Sequence, residues 1–336
     1  MSPSSGEFVN VAVIGVGAFG RNHARIYQQL ALQGEAVCLV GVVDPDLSRA
    51  DAVAQEFGCR AFGSVEHLTT THSEVQAASV AVPTVQHLEI ARGLMEAGVD
   101  VLIEKPLAPS LAEADELVRI AQGTGRIGQV GHLERFNPAV RATAPLITQP
   151  MFFEVHRLSI FTPRSLDIDV VLDLMIHDLD VVLSFVNSPV KEIRAVGLPI
   201  LSGKTDIANV RMEFESGCVA NFTASRVSTE RVRKMRFFQP RQYVSLDYSR
   251  EDVLVFSVGE SGGTPSVNPQ IKVAKLPIVA EEPLQAELRS FLQAVRSRSQ
   301  PLVSFEDGRR ALAVALDVVA AISEHGQKVQ LDQLHR

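Results

Sequence analysis

The stretch VNVAVIGVGAFG, residues 9–20, decides the fold of the first half of the chain. An apolar strand is predicted to run into a turn with glycines at 15, 17 and 20, the GxGxxG spacing, and a helix is predicted to follow. Gly15 permits a tight turn, Gly17 lets backbone amides approach a pyrophosphate, and Gly20 lets the helix pack closely on the strand. The helix N-terminus favours the phosphate charge. The stretch therefore predicts dinucleotide binding.

The second half of this fingerprint is an acid at the end of the next strand. The apolar run AVCLVGVVD ends at Asp44, 24 residues beyond Gly20, close to where a carboxylate is expected to meet the ribose hydroxyls of adenosine. A carboxylate repels a 2′-phosphate, and Pro45-Asp46-Leu47 contains no arginine to compensate. NAD is therefore predicted in preference to NADP. The alternative is that Asp44 is only a turn acid before a proline.

Composition narrows the class of protein. The chain has 336 residues, enough for two domains, with 46% hydrophobic residues and a formal net charge of −7, which gives no electrostatic reason to bind nucleic acid. Its three cysteines are widely scattered and form neither a disulfide framework nor a metal-ligand spacing. The N-terminus lacks the features of a signal peptide, and no run approaches the roughly 20 apolar residues of a membrane helix. We therefore expect a cytoplasmic protein without a membrane partner.

Residues 1–131 alternate short apolar runs with amphipathic segments, which predicts βαβ units. The predicted strands are Val9–Ile14, Val37–Val43, Ala78–Val82, Val99–Ile103 and Arg126–Val130. The predicted helices after the first are Leu47–Phe57, Gln86–Ala97 and Leu111–Gln122, the last with a capping box from Ser110 to Glu113. The prediction is an α/β fold that begins with a doubly wound parallel sheet, a dinucleotide-binding Rossmann domain over residues 1–131.

Residues 132–336 have a different sequence pattern. Their β-like runs are longer, and Glu215–Gly217 has the composition of a hairpin turn. Residues 259–269 read as a loop, and two helices are predicted at about Leu284–Arg296 and Glu306–Ser323. The second domain, residues 132–336, is therefore predicted to contain an antiparallel or mixed sheet.

Two groups of candidate residues follow strands of the first domain: Glu104-Lys105-Pro106, and Pro83, Thr84 and His87 after the predicted strand Ala78–Val82. Glu104-Lys105-Pro106 follows the strand VDVLI, so these side chains are expected at the carboxyl end of the sheet, where Lys105 reaches the nicotinamide. The alternative is an exposed lysine that begins a loop. The candidate cofactor-binding residues are Gly15, Gly17, Ala18, Phe19, Gly20, Asp44, Pro83, Thr84, His87, Glu104 and Lys105.

A third candidate group is Asp173 and His177 in the apolar segment VVLDLMIHDLDVVLSFV. If the segment is helical, residues four apart lie on one face, so the carboxylate can fix the imidazole for proton transfer. Two alternatives stay open: a metal site that adds Asp180, and a core histidine held by an acid.

A basic run stands out in an acidic chain. It contains Arg226, Arg231, Arg233, Lys234, Arg236 and Arg241. Such density suits a diphosphate or a carboxylate, while a solvated sheet edge or a subunit contact explains it equally well.

The segments VAVIGVGAFGRNHARIY, SVAVPTVQH and VLIEKPLA and the Asp173…His177 pair, in this order, resemble the Gfo/Idh/MocA oxidoreductases along nearly the whole chain. The resemblance implies a Rossmann domain followed by a substrate-binding α+β domain. The large, open, mostly antiparallel sheet of that second domain is expected to form a homodimer or homotetramer. It implies that Lys105, Asp173 and His177 are catalytic. No metal ligand is included in the predicted site. Proline at position 106 is often preceded by a cis bond in this family.

The segments VGHLERFNPAV, RLSIFTPRSLDIDVVLDLMIHDLD and RKMRFFQPRQYVSLDY resemble the UDP-N-acetylglucosamine 3-dehydrogenase branch of that family. This implies NAD-dependent oxidation at C3 of the sugar, giving a 3-keto sugar for amino-sugar synthesis of the lipid A type. It makes Arg135, Asn137 and Arg164, with His177, candidate substrate contacts. Two alternatives remain: a dehydrogenase of a free sugar or an inositol-like polyol, and a non-catalytic NAD-binding regulator.

Overall fold

The computed structural model describes residues 8–162, 167–259 and 270–329 and divides into two compact units. The first unit contains the described residues up to Leu133 together with Glu282–Leu312. The second contains Glu134–Glu281 and the described residues from Ala313 onward. The sequence-based boundary at residue 131 does not anticipate that residues 282–312 return to the first unit.

The first unit is built on a six-stranded parallel sheet, sheet A. Its strands are β1 (Val9–Ile14), β2 (Val37–Val43), β3 (Arg60–Phe62), β4 (Ala77–Val80), β5 (Asp100–Glu104) and β6 (Gly128–Gly131). The strand order β3-β2-β1-β4-β5-β6 is that of the Rossmann fold, in which ligands bind at the carboxyl ends of the strands where the order reverses. The predicted doubly wound parallel sheet is confirmed.

Helices connect and cover these strands. They are α1 (Ala18–Leu32), α2 (Leu47–Phe57), α3 (Val65–Thr71), α4 (His87–Glu96), α5 (Leu111–Thr124) and α8 (Pro283–Ser297). The predicted cap of α5 is present, because the Ser110 hydroxyl accepts from the Glu113 amide at 3.3 Å. The sequence reading missed β3 and α3, which are only 3 and 7 residues long and too short for a clear periodic pattern.

The α8 helix completes the core of the first unit. Leu288, Phe291 and Leu292 are buried together with residues of β1, β2, α1 and α2, which include Val11 and Leu30. Burying a leucine or phenylalanine side chain stabilises a fold by about 1.5–3 kcal/mol. This is why a segment so late in the chain belongs to the first unit.

The second unit contains an eight-stranded sheet, sheet B. Its strands are β7 (Phe152–Ile160), β8 (Val190–Leu198), β9 (Ile207–Phe214), β10 (Val219–Ser228), β11 (Val232–Gln239), β12 (Gln242–Asp247), β13 (Asp252–Val258) and β14 (Ile271–Lys275). The order is β14-β13-β12-β11-β7-β10-β9-β8, and only the β7–β10 pair is parallel. The predicted mostly antiparallel sheet is confirmed, as is the turn before β10, where Gly217 has φ +83°.

The other helices include α6 (Pro138–Thr143), α7 (Ile176–Phe185) and α9 (Phe305–Lys328). The helix predicted at Glu306–Ser323 is therefore extended by a turn to Lys328. Most of the predicted loop at residues 259–269 lies outside the described residues. Within the described ranges, no helix is long and apolar enough to cross a bilayer.

Candidate functional site

The glycine-rich turn has a different physical constraint at each glycine. Gly15 has φ +82°, and a Cβ there would lie 2.7 Å from the Ala81 carbonyl oxygen. A Cβ at Gly20 would lie 1.7 Å from the Gly15 carbonyl oxygen, so α1 can follow β1 this closely only with glycine at that position. Gly17 caps α1, and a Cβ there would meet no atom within 4 Å.

The space beside Gly17, at the start of α1, is open. Gly17, Ala18 and Phe19 are exposed, and no side chain caps the first amides of α1. Helix N-terminal amides carry partial positive charge and bind phosphate groups. The structure therefore has an open anion cradle where the sequence predicts one.

The acid at the end of β2 is more enclosed than expected. Asp44 is only 3% exposed, and its carboxylate accepts from the Val16 and Asp46 amides, both at 3.0 Å. Arg49, from the first turn of α2, donates to both carboxylate oxygens at 3.2 and 3.3 Å. The premise that no arginine accompanies Asp44 is thus wrong for the folded chain, because the helical turn brings Arg49 back to it.

The segment after β4 places its three candidates differently. Pro83 is exposed and begins a short 3₁₀ turn, Thr84–Gln86. His87 is 1% exposed, and its ring nitrogens lie 3.2 Å from the Leu107 carbonyl oxygen and 3.1 Å from that of Val82. Burial lowers the pKa of His87 despite these carbonyls. The histidine therefore joins the segments after β4 and β5.

Glu104 and Lys105 lie at the end of β5, and the Lys105–Pro106 bond is cis. The Glu104 carboxylate lies 2.9 Å from Nε2 of His23, a buried residue of α1. Burial acts to raise the pKa of Glu104, but the His23 hydrogen bond and the neighbouring Lys105 outweigh it and lower the pKa. An anionic carboxylate therefore anchors the strand end that carries Lys105.

A second glutamate lies deeper in the same unit. Glu287 of α8 is 0% exposed, and neither of its carboxylate oxygens has a hydrogen-bond partner among the described residues. Burial raises the pKa of Glu287 well above its usual range, and the nearby Glu104 charge adds to this effect. Burial and the Glu104 charge therefore both favour the neutral form of Glu287.

In the second unit, Asp173 and His177 lie on one helical segment with an unusual turn. Residues Val171–Met175 form a π-helix that continues into α7 at Ile176. Short π-helical turns are frequent at functional sites. Asp173 and His177 are both half-buried, so their side chains are partly accessible. The sequence reading expected regular helical spacing, and the π-turn at Asp173 is the difference.

A buried ion-pair network holds α7 on sheet B. Arg157 of β7 donates to both Asp178 oxygens at 2.7 and 2.8 Å and to Glu134 at 2.9 Å. Its guanidinium lies 5.2 Å from the centre of the Tyr248 ring. Bidentate arginine–carboxylate pairs are geometrically demanding, so this network fixes α7 next to His177.

The three substrate candidates have different surroundings. Arg135 is 13% exposed and lies 3.5 Å from Asp180. Asn137 is buried, caps α6 through the Ala139 amide at 3.0 Å and donates to the Tyr248 carbonyl at 3.1 Å. Arg164 lies outside the described residues.

Most cations of the basic run contact the protein's own acceptors. Arg226 is 6% exposed and donates to the Ile168 carbonyl, and Arg241 donates to the Gly259 carbonyl at 2.8 Å. Arg236 pairs with Glu154 at 3.2 Å, and Lys234 lies 3.8 Å from Asp247. The run is therefore not one continuous ligand surface.

The alternative of a metal site finds no support in the geometry. Across the described parts of the chain, Asp173, His177 and Asp180 included, no three His, Cys, Asp or Glu side chains converge to hold a metal ion.

Sequence reasoning missed His23, Arg49 and Glu287. His23 lies on the buried face of α1 together with Gly20, Ala24 and Tyr27, and this helical spacing was a usable signal. Nothing in the sequence marked Glu287, because a glutamate in an amphipathic helix is ordinarily exposed.

Family models match both halves of the chain. Residues 9–132 match the Gfo/Idh/MocA oxidoreductase family model with its NAD-binding Rossmann fold. Residues 119–241 match a C-terminal domain model of the same family. NAD is accordingly the cofactor.

Individual relatives agree with these models. UDP-N-acetylglucosamine 3-dehydrogenase of Acidithiobacillus ferrooxidans is 37% identical over 321 residues, covering 95% of this chain and 99% of that protein. A solved structure of that enzyme superposes with a TM-score of 0.85 and covers 94% of this chain and 98% of that one. The NAD-dependent scyllo-inositol 2-dehydrogenase of Bacillus subtilis is 26% identical and covers 96% of each chain. The chain therefore belongs to the Gfo/Idh/MocA family of NAD-binding oxidoreductases.

Proposed function

We propose that this chain oxidises the C3 hydroxyl of UDP-N-acetylglucosamine to a ketone, with NAD as the hydride acceptor. The observation that carries the proposal is the 37% identity with the UDP-N-acetylglucosamine 3-dehydrogenase of Acidithiobacillus ferrooxidans, which extends over 95% of this chain. A 3-keto nucleotide sugar is a substrate for transamination, so the product would serve amino-sugar synthesis of the lipid A type.

Three residues carry the chemistry in this proposal. His177 takes the hydroxyl proton as the substrate is oxidised, because imidazole accepts protons near neutral pH. Asp173 fixes the tautomer of His177 and stabilises its charged form. Lys105 donates a hydrogen bond to the developing alkoxide. Bound NAD supplies the hydride acceptor. The rival assignment makes Lys105 the base.

The nucleotide-binding residues have distinct tasks in this proposal. Gly15, Gly17 and Gly20 with Ala18 and Phe19 form the pyrophosphate cradle, and Asp44 accepts hydrogen bonds from the ribose. Pro83 and Thr84 border the nicotinamide. His87 and Glu104 act by fixing the chain beside it, since their polar atoms contact Leu107 and His23.

For the substrate, we propose Arg135 and Arg164 as polar contacts. Asn137 acts through the segment it caps, because its amide oxygen accepts from Ala139 and its nitrogen donates to Tyr248.

The second candidate is oxidation of a free inositol-like polyol, favoured by the 26% identity with scyllo-inositol 2-dehydrogenase. A panel of UDP-sugars and free polyols with NAD, read by NADH absorbance and product mass, separates the two. We expect turnover of UDP-N-acetylglucosamine and competitive inhibition by UDP. Turnover of inositol without inhibition by UDP would establish the alternative. Tight NAD binding without any turnover would indicate a regulator.

Variants test the assignment of roles. We expect Lys105→Met and His177→Asn each to lower kcat by about 10²–10⁴-fold, the usual contribution of a positioned acid or base. NADH binding, measured by fluorescence, should persist in both variants. The variant that abolishes the pH dependence of kcat identifies the base. If hydride transfer is normal in both, the assignment is wrong.

A further inference from the structure

Two cations of the basic run, Arg231 and Arg233, differ from the others in their surroundings, and of these two only Arg233 lies on β11. Arg233 is exposed and makes no hydrogen bond or ion pair with any described residue. Arg236 and Lys234 on the same strand have carboxylate partners, Glu154 and Asp247. Arg233 is therefore the cation of β11 that is available to a ligand.

Strand register places Arg233 on the face of sheet B that carries α7. In β11, Met235 and Phe237 are buried, and Arg233 shares their face because side chains alternate along a strand. The same face of β7 packs on α7, where Phe153 stacks on Phe185 with ring centres 6.5 Å apart. Arg236 points to the opposite face.

Arg233 pairs directly across the ladder with Arg157, the centre of the α7 network. Opposed residues in antiparallel strands have Cβ atoms about 4.5–5.5 Å apart, and like charges there are destabilising. Although Arg233 is exposed as a residue, partial burial of its guanidinium lowers its pKa, and the Arg157 charge adds to this shift while Glu134 and Asp178 oppose it. The fold thus keeps a second cation at a position where it is electrostatically costly.

The nearby carboxylates are already engaged. Both oxygens of Asp178 accept from Arg157. One Glu134 oxygen accepts from Arg157, and the other accepts from Asn137 at 3.4 Å. Each of the four oxygens already accepts from another donor, and neither carboxylate forms a hydrogen bond or ion pair with Arg233.

We propose that Arg233 binds the diphosphate of a nucleotide-sugar substrate. The bound diphosphate would lie next to α7, the helix that contains His177. Guanidinium groups bind phosphate oxygens through two parallel hydrogen bonds, which suits a diphosphate better than a neutral polyol. This inference rests on the proposed function and adds a substrate-binding residue to it.

The test compares Arg233→Gln with Arg236→Gln, a matched loss of one cation from the opposite face of the same strand. UDP binding is measured by calorimetry, and KM and kcat are measured for UDP-N-acetylglucosamine. We expect Arg233→Gln to weaken UDP binding and raise KM by about 10–100-fold, the effect of one hydrogen bond to a charged group. We expect kcat to change little and Arg236→Gln to match the wild type.

Stability and a conservative variant exclude a merely structural effect. Arg233→Gln should melt no lower than the wild type, since it removes the repulsion from Arg157. Arg233→Lys should recover part of the UDP affinity, because it keeps the charge without the two-pronged geometry. Normal UDP binding by Arg233→Gln overturns this inference alone. A wild type that neither binds UDP nor oxidises the UDP-sugar overturns the proposed function as well.

Discussion

At the scale of single residues, Asp44 shows how a short-range reading of cofactor preference can be incomplete. The carboxylate was visible in the sequence, whereas its contact with Arg49 depends on the turn that begins α2. A carboxylate favours a free ribose, and a nearby arginine tolerates a 2′-phosphate. We therefore expect the Asp44–Arg49 pair to set how strongly NADP is rejected relative to NAD.

Replacing Arg49 tests this balance. We expect Arg49→Gln to weaken NADPH binding by about 10-fold or more relative to NADH, since a charge-assisted hydrogen bond contributes about 1.5–3 kcal/mol. Fluorescence titration of both cofactors measures the ratio. Arg119→Gln, which removes a cation paired with Glu116 on α5, is the control. Equal shifts for both cofactors would show that Arg49 does not discriminate.

Glu287 predicts a dependence of stability on pH. Its pKa in the fold is raised well above the unfolded value, so its contribution to stability is complete below the unfolded pKa and is lost as pH rises toward the folded pKa. Glu287→Gln resembles the neutral acid and avoids this loss. We expect the free energy of unfolding of Glu287→Gln to rise relative to that of the wild type by up to about 1.4 kcal/mol for each pH unit above the unfolded pKa.

Thermal unfolding of the cofactor-free protein between about pH 5 and 8, where proteins are usually most stable, checks this difference. The exposed Glu89→Gln on α4 is the control and should follow the wild type. Parallel curves for Glu287→Gln and the wild type would mean that Glu287 is charged in the fold.

At the scale of elements, the sequence predicted long periodic segments well. Strands β1 and β2 and helix α2 have the predicted bounds, because an apolar strand and an amphipathic helix each leave a clear periodicity. The π-turn at Val171–Met175 left no such trace, since it inserts one residue into an otherwise helical pattern.

The candidate site was likewise predictable only in part from the sequence. The sequence located the residues that follow strand ends, such as Gly15 and Lys105, because strand ends of a parallel sheet lie along one edge. It could not assign the basic run, since facing directions in β11 depend on its register with β7. The Arg157–Arg233 pairing joins residues far apart in sequence, and only the folded sheet reveals it.

At the scale of the whole molecule, the face of sheet B opposite α7 carries a row of apolar side chains. Phe152, Phe238, Tyr243 and Phe256 occupy neighbouring strands, with ring centres 5.7, 4.8 and 5.0 Å apart along the row. Contiguous exposed apolar patches mark surfaces where proteins associate. We propose that two or more copies associate through this face as a homodimer or homotetramer.

A charge in this row tests the association. We expect Tyr243→Glu to reduce the mass measured by light scattering to that of one chain, because burying an unpaired carboxylate at an interface is costly. Arg119→Glu on α5 is the control and should keep the wild-type mass. An unchanged mass for Tyr243→Glu would exclude this face as the contact.

The return of α8 to the first unit has a consequence for the inheritance of the nucleotide-binding half. Leu288 and Phe291 fill its interior from a stretch encoded some 150 codons after the last strand of sheet A. A gene fragment that stops at Leu133 would encode a half with an unfilled hollow on one flank. Recombination that exchanges cofactor modules between such enzymes must therefore transfer two separate pieces of coding sequence, and the intervening module must be accepted as an insertion.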